Sequence, residues 1–487
     1  MLFLGIDIGT GSSKGVLVDE AGRVVDSATR PHVTASPGPG MFEHDAESVW
    51  WDDVVALCRA LLDGRAAGSV AGVCVSGIGP AVAVADAAGR PLRPAILYGI
   101  DSRAQEQIRR AERRYGEQVL LRHIGNRLTT QSIGPKLEWI AECEPEVWSA
   151  TRRIFSAPGY VVHRLTGEYT LDTYSASTSD PLYDLTTRTW WEPGWQAMPD
   201  VERPRLARPG EIVGSVTAEG SAATGLPVGV PVLAGTIDAL AEAYSAGCRD
   251  LGDTMIMYGS TLFMIQVVAR PSVHPGLWAA EGRTPETFSI AAGMSTSGLI
   301  TNWLSELTGT EFADLIAGAR AIAPGSEGLL LLPYFAGERT PLFDPLARGA
   351  WVGLSLRHGK AHLYRSVLEG VAFGVRHNLA TMAEAGSPPR RLVAVGGGTR
   401  EDLWAQIVSD VTGLAQDVPS VTIGASYGDA RMVADALGVD TSAWNPVAVR
   451  LEPDEKARAV YDELYGSYLD AYPALRETMH RLAAYNQ

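Results

Sequence analysis

The sequence is short of cysteine, of lysine, of net positive charge and of long apolar runs. Its four cysteines, Cys58, Cys74, Cys143 and Cys248, lie far apart and form no CxxC pair. They argue against a disulfide framework or a zinc site and for a reducing compartment. Only four of the 41 basic residues are lysines (Lys14, Lys136, Lys360 and Lys456), so a lysine in a turn stands out. Acidic residues number 56 and the net charge is −15. Such a balance argues against nucleic acid or an anionic membrane as a partner. The best apolar run, Leu329 to Leu332, falls far below the ~20 residues of a membrane helix. Met1-Leu2-Phe3-Leu4-Gly5-Ile6 has no basic n-region and meets Asp7 too early for a signal peptide. A cytoplasmic location is expected.

What is there reads as globular, at 46% hydrophobic and 20% charged. A chain of 487 residues should hold two or more domains, since one core rarely outgrows roughly 250–300 residues. The organising stretch is Leu2 to Asp19, LFLGIDIGTGSSKGVLVD. Alternation of Leu2, Leu4, Ile6 and Ile8 with Phe3, Gly5, Asp7 and Gly9 predicts a strand, and Gly15 to Val18 a return strand. The turn between them, Gly9 to Ser13, is built of small and hydroxylated residues whose backbone N–H groups can converge on an anion. Lys14 adds a point charge. Asp7 would repel a bare phosphate unless a divalent cation sits between them. The alternative is an ordinary glycine-rich hairpin with a solvated Asp.

The chain continues as a third strand near Val24 to Ala28, a helix capped by Asp45, buried strands at Val70 to Val75 and Ala81 to Ala85, and a helix near Ser102 to Tyr115. Strands and helices in that order predict an α/β domain. Trp190 to Pro209 reads as irregular. The pattern then starts again. Thr254 to Tyr258, Gly259-Ser260-Thr261 and Leu262 to Ile265 form a second strand, small-hydroxyl turn and strand. Leu329 to Leu332 and Arg391 to Val395 add strands. Helices are predicted over 362–380, 401–412, 427–437 and 454–484. The division falls near residue 245, and two similar halves would clamp a polyphosphate between their turns.

Two more stretches repeat the design. Val230 to Ala234, then Gly235-Thr236-Ile237-Asp238, carries a strand into a glycine turn and an Asp at a helix start. That Asp is either an N-cap or a general base for an attacking hydroxyl. Val393 to Val395, then Gly396-Gly397-Gly398-Thr399, allows close backbone approach to a flat ligand.

These stretches together resemble the FGGY carbohydrate kinases, of the actin, hexokinase and heat-shock-chaperone ATPase superfamily. Leu4 to Thr10, Gly235 to Asp238 and Gly396 to Gly398 are similar to the family's phosphate and adenosine motifs. Gly349 to Leu354 with His362 to Glu369 is similar to its C-terminal signature. The signature around Lys136 to Ile140 fits less well, with Ile133 in place of Ser, Thr or Pro. The resemblance covers almost the whole chain and lies nearest the pentulose kinases. It implies an α/β fold of two duplicated RNase-H-like domains, 1–245 and 246–487, with ATP and Mg²⁺ in the cleft between them. It implies Asp238 as the catalytic base and Asp7 as the Mg²⁺ residue. Thr10, Ser13 and Lys14 fall in the first phosphate loop, Gly259 and Ser260 in the second. Gly397, Gly398 and Glu401 fall at adenosine.

On the sugar side the resemblance implies Gly77, Ile78, Gly79 and Asp101, together with Asp238. Leu97-Tyr98-Gly99-Ile100-Asp101-Ser102-Arg103 is similar to Leu-Trp-Asn-Asp-x-Arg of xylulokinases. After Ser76-Gly77, however, xylulokinases carry Gln-Met-His, whereas Ile78-Gly79-Pro80 stands here; nor can Gly79-Pro80 supply the Arg-Glu pair of glycerol kinases. The substrate expected is a small sugar or polyol, most simply a pentulose, with glycerol, erythritol or gluconate as alternatives and with D-xylulose a poor one. The rival from another class is a non-catalytic actin-like sugar or nucleotide sensor. The resemblance allows a homodimer.

Overall fold

A computed structural model describes residues 1–485 except Ala67. Two sheets of like topology carry it. The first contains β1 (Leu2–Ile8), β2 (Ser12–Asp19), β3 (Val24–Pro31), β4 (Val70–Gly77), β5 (Ile212–Ser215), β6 (Pro231–Leu233) and β7 (Thr236–Ile237). Their order is β5-β6-β4-β1-β2-β3, with β7 also paired to β4. The second contains β8 (Asp253–Tyr258), β9 (Leu262–Val268), β10 (Trp278–Glu281), β11 (Phe288–Met294), β12 (Arg391–Val395), β13 (Gln416–Pro419) and β14 (Val447–Leu451), in the order β10-β11-β9-β8-β12-β13-β14. In both, an antiparallel meander leads into parallel strands and an antiparallel edge. The two-part α/β fold expected from the repeated hairpins is thus present.

The period of two in β1 sorts its side chains. Leu4, Ile6 and Ile8 pack with Val54, Leu57 and Leu61 of α1 (Asp52–Leu62). Each such buried aliphatic side chain contributes about 1.5–3 kcal/mol. Phe3, Gly5 and Asp7 face the other way. Asp45 caps the helical stretch as expected, accepting from Glu47 N–H at 3.1 Å and Ser48 N–H at 2.8 Å, but Ala46–Trp51 winds as a π-helix before α1 begins. Leu330–Leu332 is a strand outside both main sheets, paired with Ala350–Val352.

The helices do not respect the midpoint of the chain. The opposite face of the first sheet, with Phe3, Val16 and Val18, is covered by Tyr427, Ala430 and Val433 of α5 (Ala425–Ala436), which follows α3 (Lys360–Glu384) and α4 (Asp402–Thr412). Contact is at backbone distance: a Cβ on Gly5 would stand 1.9 Å from the Ser426 carbonyl oxygen. Between the sheets runs α2 (Asp238–Ser245). Its Leu240 and Ala243 pack on Met255, Ile265, Val393 and Val395 of the second sheet, while Ala241 and Tyr244 join α5. The long α6 (Glu455–Ala483) closes the second core through Tyr461 and Tyr468. Among the described residues no helix is long and apolar enough to cross a membrane.

Candidate active site

Ligand clefts in sheets of this kind form beyond the carboxyl ends of parallel strands. Three such ends stand side by side in the first sheet. Asp7 lies opposite Ser76 and Ser76 opposite Thr236; Ile8, Gly77 and Ile237 follow in the same row. The Gly9–Ser12 turn, the Ile78–Pro80 loop and Asp238 therefore emerge at one edge. In the second sheet β8 and β12 run parallel with Met257 opposite Val395. There the Gly259–Thr261 and Gly396–Thr399 turns emerge together.

The first turn closes with Gly9 N–H donating to Ser12 O at 3.1 Å. Thr10 Oγ1 lies 3.0 Å from the Tyr98 hydroxyl. Strand register separates the next two residues. Asp7 lies opposite Lys14, so both leave the sheet on one face, and Ser13 lies opposite Ile8, on the other. Ser13 is fully buried and donates to Asp53 of α1 at 2.7 Å. Lys14 is exposed. The Ser13 hydroxyl is thus turned into the first core, away from the Lys14 side.

In the second turn, Gly259 N–H donates to Thr261 O at 3.1 Å. The N–H groups of Gly298 and Ser297 donate to Gly259 O and Ser260 O at 3.0 and 3.1 Å. A Cβ on Gly398 would stand 2.7 Å from Tyr258 Cβ. The triple-glycine turn is therefore stacked on the strand that feeds the Gly259–Thr261 turn. Gly397 and Glu401 are exposed, the latter just before α4.

The predicted sugar-side residues divide. Gly79 leaves no room for a side chain, since a Cβ there would stand 2.4 Å from Ile237, and Gly77 is tight, a Cβ there standing 3.3 Å from Ala157 and Ile8. Ile78 is 2% exposed, its side chain in the first core and its N–H bonded to Ile8 O at 2.8 Å. Asp101 is buried, and both oxygens already accept. One takes Phe42 N–H at 2.7 Å, the other Arg103 N–H at 3.1 Å, and the Arg103 guanidinium bonds both.

The sequence matches the FGGY family of carbohydrate kinases in both halves, its N-terminal domain over residues 2–244 and its C-terminal domain over 254–437. The chain belongs to the FGGY family of carbohydrate kinases. It is 30% identical to a xylulose kinase of Escherichia coli over 495 residues, 99% of this chain and 98% of that one. It is 31% identical to a xylulose kinase of Streptomyces rubiginosus over 501 residues, 97% of each. Among solved structures, the xylulose kinase of Rhodospirillum rubrum superposes with a TM-score of 0.93 at 32% identity, covering 99% of this chain and 100% of that one.

In this FGGY kinase the cleft edge is acidic. Burial pushes the Asp7 carboxyl up to about 6, against the pull of Lys14. Burial and then Asp7 raise Glu242 to about 7. Asp238 is held well above the usual carboxylate range, first by burial, then by Asp7 and, less strongly, by Glu242. Asp238 accepts Ala239 N–H at 2.7 Å, and the Asp7 carboxylate meets Ser76 Oγ at 3.4 Å. Carboxylates crowded in this way are a place for a divalent cation. Among the described residues no group of three or more His, Cys, Asp or Glu could hold a metal ion by itself. An Mg²⁺ ion here would keep water and phosphate oxygens as partners, the mode Mg²⁺ favours. The donor set fits.

Three neighbours escaped sequence reasoning. Tyr98 faces Thr10. Glu242 sits one helical turn after Asp238. Asp429, from α5, accepts from Ser76 Oγ at 2.6 Å and Ser76 N–H at 3.1 Å, fixing the serine that meets Asp7. The i, i+4 spacing of Asp238 and Glu242 could have shown Glu242. Nothing local could have shown Asp429, 353 residues from Ser76.

Proposed function

We propose that this FGGY kinase transfers the γ-phosphoryl group of ATP to a hydroxyl of a pentulose or a closely related polyol, with Asp238 as general base. The observation that carries the reading is the position of Asp238, at the cleft end of β7, with Asp7 and the first phosphate turn beside it. The full-length similarity to xylulose kinases supports the acceptor class. Thr10, Lys14, Gly259 and Ser260 would hold the phosphates, with Ser13 bracing the turn from within. Gly397, Gly398 and Glu401 would hold adenosine. Residues 1–245 would carry the sugar and 246–487 the nucleotide. Asp7 would hold Mg²⁺ through its waters, and the ion would supply charge neutralisation at the phosphates. The chain's own task is positioning and proton transfer, which suffices for phosphoryl transfer. Asp238 takes the hydroxyl proton as the oxygen approaches phosphorus, and cleft closure excludes water as a competing acceptor.

The test is an ATP-consumption screen over D- and L-xylulose, D- and L-ribulose, erythritol, glycerol and gluconate. Turnover is expected with a pentulose. D-Xylulose should trail the best acceptor by about 10²-fold or more in kcat/KM, because Ile78-Gly79-Pro80 turns no polar side chain toward the sugar. No consumption with any acceptor sinks the kinase reading. D-Xylulose best by a wide margin sinks only the reading of that loop.

The raised carboxyl of Asp238 gives a pH test. The base works deprotonated, so activity falls as pH drops through its pKa, and the acid limb of kcat/KM should lie above the ordinary Asp value of about 4. Glu242→Gln removes one of the charges that raise it, so the limb should move to lower pH. A limb that stays or moves upward in that variant would count against Asp238 as the titrating base.

A further inference from the structure

A half-buried cation that the reading above does not use lies beside the end of β11. Arg339 lies in the loop between the strands Leu330–Leu332 and Ala350–Val352. The loop is tied down on two sides. Glu338 and Asp344 exchange backbone hydrogen bonds at 2.8 and 2.9 Å, and the Asp344 carboxylate accepts from Tyr472 at 2.5 Å and bonds His480 at 2.6 Å, both from α6. On the other side Thr340 Oγ1 accepts Gly293 N–H of β11 at 2.7 Å.

The guanidinium lies against Gly293: a Cβ there would stand 3.3 Å from Cζ. Its Nη2 donates to Met294 O at 2.6 Å. Its Nε is buried and has no hydrogen-bond partner among the described residues. The adjacent Glu338 spends one carboxylate oxygen on the N–H groups of Ser295 and Arg339 itself, both at 2.7 Å. A buried guanidinium with an idle donor is costly unless a ligand completes it.

Its surroundings indicate which ligand. The end of β11 leads directly into Ser297 and Gly298, whose N–H groups hold the carbonyls of the second phosphate turn. From the N-terminal half comes Tyr98, in the bend after Ala95–Ile96, bonded to Thr10 of the first turn. The field of Arg339 reaches the Tyr98 hydroxyl, as does that of Asp238. Met294, whose carbonyl Arg339 holds, pairs with Leu262, the residue after the Gly259–Thr261 turn, so Arg339 stands beside the second turn.

We propose that Arg339 is a catalytic residue of the transfer step, donating to the equatorial oxygens of the γ-phosphoryl group as it crosses from ADP to the acceptor. This rests on the kinase reading. In that step the acceptor oxygen forms a bond to phosphorus, and its proton passes to Asp238. The bond from phosphorus to the β,γ-bridging oxygen breaks, and its electron pair stays on ADP. The planar fork of an arginine suits the three oxygens left carrying charge between those two bonds, whereas a lysine offers only a point charge.

The experiment uses the full chain, the best acceptor from the screen, and MgADP with and without aluminium fluoride as a stand-in for the phosphoryl group in flight. Arg339→Met should lower kcat by roughly 10²–10³-fold, leaving the KM for ATP and the Kd for MgADP within about threefold. Arg339→Lys should fall between the variant and the wild type. Aluminium fluoride should tighten MgADP binding to the wild type and not to Arg339→Met. Retained MgADP binding shows that the fold is intact, and Arg339→Lys gives the same comparison in a milder change. If the wild type turns over and Arg339→Met keeps kcat within threefold, or keeps the tightening, the proposal is overturned. So it is if the variant raises only the KM for gluconate, the mark of an arginine that binds a substrate carboxylate. A wild type that consumes no ATP with any acceptor indicts the kinase reading instead.

Discussion

Asp238→Asn lowers kcat by roughly 10²–10⁴-fold while MgATP still binds, if Asp238 is the base. The substitution is nearly isosteric. It keeps the Oδ1 that accepts Ala239 N–H at 2.7 Å, so the start of α2 is preserved. It removes the proton acceptor and a carboxylate whose charge burial and Asp7 disfavour. Relief of that crowding should make the variant no less stable than the wild type. Calorimetry with MgATP and steady-state kinetics separate the two effects. Near-normal turnover would show that Asp238 is only a helix cap.

Gly428→Ala should lower stability by about 3 kcal/mol or more, a large loss for one methyl group. Alanine gains about 1 kcal/mol over glycine in a helix, so intrinsic propensity favours the change. Packing reverses the sign. The new Cβ would stand 1.9 Å from the Ala241 carbonyl oxygen and 2.8 Å from its carbon, and backbone atoms cannot rotate away. Only a shift of α2 against α5 relieves the clash, and α2 begins at Asp238. Activity should therefore drop along with stability. Gly466→Ala in α6, where nothing among the described residues lies within 4 Å, is the control and should be neutral or slightly stabilising. Equal urea midpoints for the two variants would remove the argument for close helix crossing.

Much of this was legible because the informative residues are local. The alternation in Leu2 to Ile8, the small turns after β1, β8 and β12, and the glycine before Asp238 each announce a strand end, and the register brings them together. Ser13 and Lys14 show the limit of that reading. Both lie in the turn motif, but neighbouring residues of a strand face opposite sides, and Ser13 belongs to the α1 side. Asp101 has a sugar-binding look in sequence and is consumed by Arg103 and Phe42 N–H in space. Phe288–Met294 went unread as a strand because its Ala-Ala-Gly run lacks the β-branched signal. Arg339 and Asp429 owe their positions wholly to packing between distant segments, which no local pattern carries.

The helix that α5 lends to the first sheet sets the order in which the chain can mature. The last strand of that sheet ends at Ile237, and α5 starts at Ala425, 188 residues later. At a synthesis rate of about 5–20 residues per second, that gap lasts roughly 10–40 s. Throughout it Phe3, Val16 and Val18, and the bare backbone at Gly5, await their cover. The first half therefore cannot complete its core before α5 is made, and the second half acts as its folding partner before either acts on a substrate.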